Sequence, residues 1–158
     1  MNQFIKETRH IGITITNMEK SLNFYRDLLG LKVVRSMDES GNYIDNMLDI
    51  SNVKVSTVKM SANNGTTLIE LLEFKSHPKE PENMEIYRIG TSHVAFTVID
   101  LEKCYEILLN SGVKFNAQPQ LSPDGYAKVT FCHDPDGTLI ELVQVLDDWI
   151  LNKEKKLT

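Results

Sequence analysis

An internal repeat organises this chain. The segment Thr8-Arg9-His10-Ile11-Gly12-Ile13-Thr14-Ile15 returns as Thr91-Ser92-His93-Val94-Ala95-Phe96-Thr97-Val98, a shift of 83 residues from His10 to His93. Further along, Thr67-Leu68-Ile69-Glu70-Leu71-Leu72 returns as Thr138-Leu139-Ile140-Glu141-Leu142-Val143, a shift of 71 residues. Two matches in the same order, His first and Glu later, describe one module used twice. The fall from 83 to 71 gives the first copy about twelve extra residues, best placed around Ser40 to Asn52. Tyr43, Ile44, Met47 and Leu48 in that insertion could form a cover over a cavity or a packed loop or short helix.

Each copy opens on an alternating strand, with Ile11, Ile13 and Ile15, or Val94, Phe96 and Val98, on one face, and His10 or His93 on the other. Asn17 and Asp100 are suited to cap a following helix, because their side-chain oxygens accept from free first-turn amides. Met18, Leu22, Tyr25 and Leu29 then recur at helical spacing, echoed by Leu101, Tyr105 and Leu108, and Gly30 and Gly112 mark the stops. Three more strands fit each copy, near 31–37, 53–61 and 66–74, and near 113–118, 126–133 and 137–145. Asn63-Asn64-Gly65 and Asp134-Pro135-Asp136-Gly137 are turn signals before the last strand of each. The expected fold is α+β: two βαβββ modules, about 8–74 and 91–146, within a single domain spanning 1–158. Residues 75–90, with Pro78 and Pro81, read as a linker, and residues 147–158 as a tail in which Trp149, Ile150 and Leu151 predict a docked short helix.

With 158 residues the chain can bury a core without staples. Its 17 basic and 22 acidic residues leave a net charge of -5, which disfavours a non-specific nucleic-acid binder. Cys104 and Cys132 form no CxxC pair, so neither a disulfide scaffold nor a cysteine-rich zinc site is expected. The N-terminal residues hold no apolar targeting core, and no run is long enough to span a bilayer. A cytoplasmic protein without membrane contacts is the expectation.

Glu70 and Glu141 each sit inside an apolar strand, with Leu68 and Leu72, or Leu139 and Val143, on the same face. A bare carboxylate there is costly unless it is protonated, paired, hydrated or bound to a metal. Neither Arg nor Lys recurs opposite these glutamates in both copies, whereas histidine does. Two neutral imidazoles and two carboxylates carry a charge of -2, which a divalent cation cancels, and their nitrogen and oxygen donors suit nickel, cobalt, zinc, iron or manganese. Four such ligands on an octahedral ion leave two positions open, the mark of a catalytic centre. His10, Glu70, His93 and Glu141 are therefore the candidate metal ligands. His77 and His133 have no counterpart in the other copy and are expected at the surface.

The sequence resembles the vicinal oxygen chelate superfamily, which includes glyoxalase I, methylmalonyl-CoA epimerase, type I extradiol dioxygenases and the bleomycin and fosfomycin resistance proteins. The likeness runs from about residue 8 to 146. It rests on His10-Ile11-Gly12-Ile13, on Ser21-Leu22-Asn23-Phe24-Tyr25 leading to Leu29-Gly30-Leu31, on Ser92-His93-Val94-Ala95-Phe96, and on Asp134-Pro135-Asp136-Gly137 followed by Ile140-Glu141-Leu142. It implies a cupped eight-stranded mixed sheet with flanking helices around one divalent metal, held by the same four residues. Glyoxalase I-like members use His, Glu, His, Glu; the epimerases often have Gln at the position of Glu70. By this resemblance the chain is a lyase or isomerase that removes a proton next to a polarised carbonyl. Glu141 would be the base and Glu70 its mate for the opposite substrate face. A glutathione hemithioacetal or a CoA thioester is the implied substrate class, and a homodimer the implied assembly. Two alternatives stay open. One is an extradiol-type dioxygenase with iron on His10, His93 and Glu141; the other is a non-enzymatic small-molecule binder of the drug-resistance type.

Overall fold

The structure, a computed structural model, describes residues 4–63, 65–81 and 85–146; the expected helix at Trp149–Leu151 lies outside them. The chain divides into two compact units, Met1–Glu82 and Asn83–Thr158. Each holds one four-stranded mixed sheet, so the eight strands of the α+β fold fall four and four.

In the first unit β1 (His10–Thr14) is followed by α1 (Met18–Leu22), β2 (Lys32–Ser40), α2 (Asn42–Leu48), β3 (Lys54–Ser61) and β4 (Leu68–Phe74). The sheet order is β1-β4-β3-β2, with β1 parallel to β4 and the rest antiparallel. In the second unit β5 (His93–Thr97) precedes α3 (Leu101–Asn110), β6 (Gln120–Leu121), β7 (Ala127–His133) and β8 (Leu139–Val145). Its order, β5-β8-β7-β6, repeats the first, again with the outer pair β5 and β8 parallel. The parallel pairing follows from the helical crossover between each first strand and its sheet.

The helix caps agree with the sequence reading. The Asn17 side chain accepts from the Lys20 amide at 2.9 Å, and Asp100 from the Lys103 amide at 3.0 Å. A second capping layer comes from the last strands: Glu73 Oε2 accepts from the Met18 amide at 3.2 Å, and Gln144 Oε1 from the Leu101 amide at 2.9 Å. Each last strand thus ties down the helix of its own unit. After Leu22 the first helix widens into a π-helical stretch over Asn23–Leu28, closed by the Leu29 amide on the Phe24 carbonyl at 2.9 Å. Gly30 then turns the chain at a φ of 78°, a conformation that favours glycine.

The insertion takes one of its expected forms, a short helix, and one expected strand is lost. The extra residues of the first copy form α2, whose Ile44 packs on Val53, Val55, Leu72 and Phe74. Leu72 shares the face of Glu70, so α2 covers one end of that face. The helix stops at Asp49 in the left-handed region, and Asp45 takes the amides of Asn52 and Val53, both at 2.9 Å, to aim the chain into β3. The strand expected at 113–118 shrinks to a single bridge, Phe115 with Cys132. Thr130 Oγ1 donates to the Ala117 carbonyl at 2.6 Å, and Pro119 has no amide to give, so pairing resumes only at Gln120.

Candidate metal and catalytic site

In the first unit, β1 and β4 run side by side with Gly12 in register with Glu70. His10 and Glu70 project to the same face, and His10 Nε2 lies 2.9 Å from Glu70 Oε2. The Glu70 side chain is only 9% exposed, against 33% for His10. In the second unit, Ala95 is in register with Glu141, and His93 Nε2 lies 3.0 Å from Glu141 Oε2. Here the carboxylate is 21% exposed. The two pairs are the same construction made twice. A residue with little or no side chain, Gly12 or Ala95, stands in register with each carboxylate, and a Cβ added at Gly12 would come within 3.2 Å of Leu72 Cδ1.

The spacing suits either of two states. With a proton on Nε2, each contact is a charge-assisted hydrogen bond. With the proton gone, the nitrogen and oxygen can share a cation: adjacent ligands of an octahedral ion with bonds of about 2.1 Å are about 3.0 Å apart. The donor chemistry therefore fits a first-row divalent ion. Within either unit the described residues bring two such donors together, not three or more.

The units differ in the residue across the hairpin from the glutamate. Lys59 is in register with Glu70, and its Nζ lies 3.1 Å from Glu70 Oε1. The equivalent of Lys59 in the second unit is Phe131, in register with Glu141. The Phe131 ring meets the His93 ring edge-on, with centroids 5.4 Å apart. The sequence reading missed Lys59 because it sought a cation recurring in both copies. The signal was available by counting outward from the Asn63-Asn64-Gly65 turn, which brings residue 59 opposite residue 70.

The remaining candidates take minor places. His77 is exposed and bonds Ser76 Oγ at 2.7 Å. His133, expected at the surface, is half-buried: its ring bonds the Gly137 carbonyl at 3.2 Å and Asn116 Oδ1 at 2.7 Å, fixing the turn before β8. Arg9, Arg35 and Arg88 are exposed. Cys104 and Cys132 are free thiols.

Residues 8–142 match the family model of the glyoxalase/bleomycin resistance protein/dioxygenase superfamily. An uncharacterised Bacillus subtilis protein, YwkD, is 32% identical over 143 residues, covering 89% of this chain and 98% of its own. The lactoylglutathione lyase of Neisseria meningitidis serogroup A is 27% identical over 138 residues, covering 85% of this chain and 88% of its own. Among solved structures, a glyoxalase family protein from Bacillus cereus superposes with a TM-score of 0.82 at 18% identity, covering 92% of this chain and 97% of that one. At that identity the likeness speaks for the fold alone. Matched over most of its length, with the duplicated module and the repeated His–Glu pair in place, the chain belongs to the glyoxalase/bleomycin resistance protein/dioxygenase, or vicinal oxygen chelate, superfamily.

Proposed function

We propose that this protein is a metal-dependent lyase or isomerase that moves a proton on a carbon next to a carbonyl, in a small thiol-conjugated substrate. The observation that carries this reading is the pair of His–Glu contacts at 2.9 and 3.0 Å, built at equivalent positions of the two units. Superfamily members typically bind a divalent metal. Here His10, Glu70, His93 and Glu141 would hold it, as nickel, cobalt, zinc, iron or manganese. A bound ion would draw electron density from the substrate carbonyl and so acidify the neighbouring C–H.

The residues do the rest. Glu141 takes the carbon-bound proton, and the C–H electron pair moves into the enediolate or enolate. Returning that proton to the neighbouring carbon, while the hydroxyl proton of the first carbon passes to the oxygen of the second, completes an isomerisation of the glyoxalase type. A Glu70 that enters the cycle protonated would instead give its own proton to the other face of the same carbon, while Glu141 keeps the one it took, which completes an epimerisation. His10 and His93 each set their Nε2 about 3 Å from a carboxylate oxygen, the spacing of neighbouring ligands on one ion. Relatives named lactoylglutathione lyase support a glutathione conjugate as the substrate, for which we take a hemithioacetal first and a CoA thioester second. A cytoplasmic homodimer is the assembly we assign. No helix among the described residues is long and apolar enough to cross a membrane.

The test compares wild type with Glu141→Gln for metal content and for turnover of methylglyoxal plus glutathione and of methylmalonyl-CoA. The expected result is retained metal with turnover reduced by a factor of about 100 or more. Full activity in the variant would end the assignment of Glu141 as base. The oxygenase reading has one observation in its favour, the engagement of Glu70 by Lys59, which would leave a His10, His93, Glu141 triad. Iron-dependent oxygen uptake with catechols would select it.

A further inference from the structure

We propose that Lys59 is a positioning residue that makes the two halves of the site unequal, by competing with the bound cation for Glu70. The proposal rests on the reading of His10, Glu70, His93 and Glu141 as metal ligands.

The two modules agree in their strand order, in the His–Glu contact, in the small residue beside each glutamate and in the double capping of each helix. At the position across the hairpin from the glutamate they part. The first unit places a primary ammonium there and the second a phenyl ring. Lys59 is not a solvated surface lysine. Its side chain is 22% exposed, and it sits 3.1 Å from a carboxylate that is 9% exposed. Poor hydration on both sides strengthens the pair. Glu70 is thereby held by two partners at once, His10 on Oε2 and Lys59 on Oε1. Among the described residues, the ionic contact that the structure records for Glu141 is with His93 alone.

Two consequences follow. Glu70 is satisfied without a metal, so the first unit needs no cation to tolerate its buried carboxylate. A cation that binds Glu70 must also share its charge with an ammonium, or displace that ammonium. Either way Lys59 lowers the affinity of the four-ligand set and leaves Glu141 as the more electron-rich carboxylate. The asymmetry thus selects which glutamate serves as base, where a strict duplicate would leave both equivalent.

The experiment measures Co2+ affinity of the metal-free full chain by competition with a chelator. Wild type is compared with Lys59→Met, Lys59→Gln, Lys59→Arg, Glu70→Gln and the Lys59→Met/Glu70→Gln double variant, with folding checked by circular dichroism. Lys59→Met and Lys59→Gln should each bind Co2+ about tenfold or more tightly than wild type. Lys59→Arg, which keeps the charge, should stay near wild type. In the Glu70→Gln background the gain from Lys59→Met should shrink to about threefold or less, because the residue acts mainly through Glu70. Unchanged or weaker Co2+ binding in both neutral variants would overturn the proposal. So would an equal gain with and without Glu70, which would mean a general field effect. Absence of Co2+ binding from every folded variant would instead overturn the metal reading, and the proposal with it.

Discussion

Cys132 lies fully buried in β7, and burial pushes its thiol from the ordinary 9.0 up to about 12. The cause is desolvation of the thiolate, so the native state prefers the protonated form more than the unfolded chain does. The stabilisation from this preference is complete below pH 9 and is lost as the pH climbs from 9 towards 12. Native protein at pH 8 should therefore leave Cys132 unmodified by iodoacetamide, and urea should expose it. Peptide mapping of the alkylated protein checks this, and rapid native labelling of Cys132 would contradict the burial. Ser21 offers a second residue-scale test. Its hydroxyl is fully buried with no hydrogen-bond partner among the described residues. A buried polar atom left unsatisfied costs about 1–3 kcal/mol. Ser21→Ala should leave stability unchanged or raise it by about 1 kcal/mol in urea unfolding. A loss above that amount would mean that the hydroxyl contributes a bond the structure does not contain.

At the scale of elements, each last strand does two jobs. One face of β8 carries Glu141, and the other carries Gln144, which caps α3. A cap lost from a helix N-terminus costs about 1 kcal/mol. Asp100→Ala and Gln144→Ala should each lower the unfolding free energy by about that much while leaving the His93–Glu141 contact in place. Urea titrations read the first effect, and an unchanged Co2+ affinity reads the second. The elements also show where the sequence was informative. Alternation and caps located β1, β5 and both main helices, because a period of two and a side-chain oxygen before a helical stripe are local signals. The insertion is legible around Ser40 to Asn52 with a short helix among its readings, but the choice of helix rests on Ile44 joining the cluster of Val53 and Val55 on which Leu72 and Phe74 pack, tertiary packing that local pattern does not encode. The strand at 113–118 failed for a similar reason. Its apolar residues suit pairing, and only the neighbouring Thr130 and Pro119 interrupt it. Lys59 was hidden differently: the repeat directs attention to what is shared, and Lys59 is where the copies diverge.

For the whole molecule, duplication fixes how metal binding should respond to mutation. Each unit offers one imidazole nitrogen and one carboxylate oxygen about 3 Å apart. Two donors make a weak site for a first-row divalent ion, whereas four with a charge of -2 make a strong one. If both pairs serve one cation, removal of either pair damages the whole site rather than half of it. Equilibrium dialysis of the full chain should give one Co2+ per chain. His10→Ala/Glu70→Gln and His93→Ala/Glu141→Gln should each lose tight binding entirely. Independent half-sites would behave otherwise: two ions per chain in the wild type, and one of them surviving in either double variant. A loss of about half the capacity would thus separate the pairs and remove the common cation. Complete loss from both variants would tie the duplicated halves to one chemical centre.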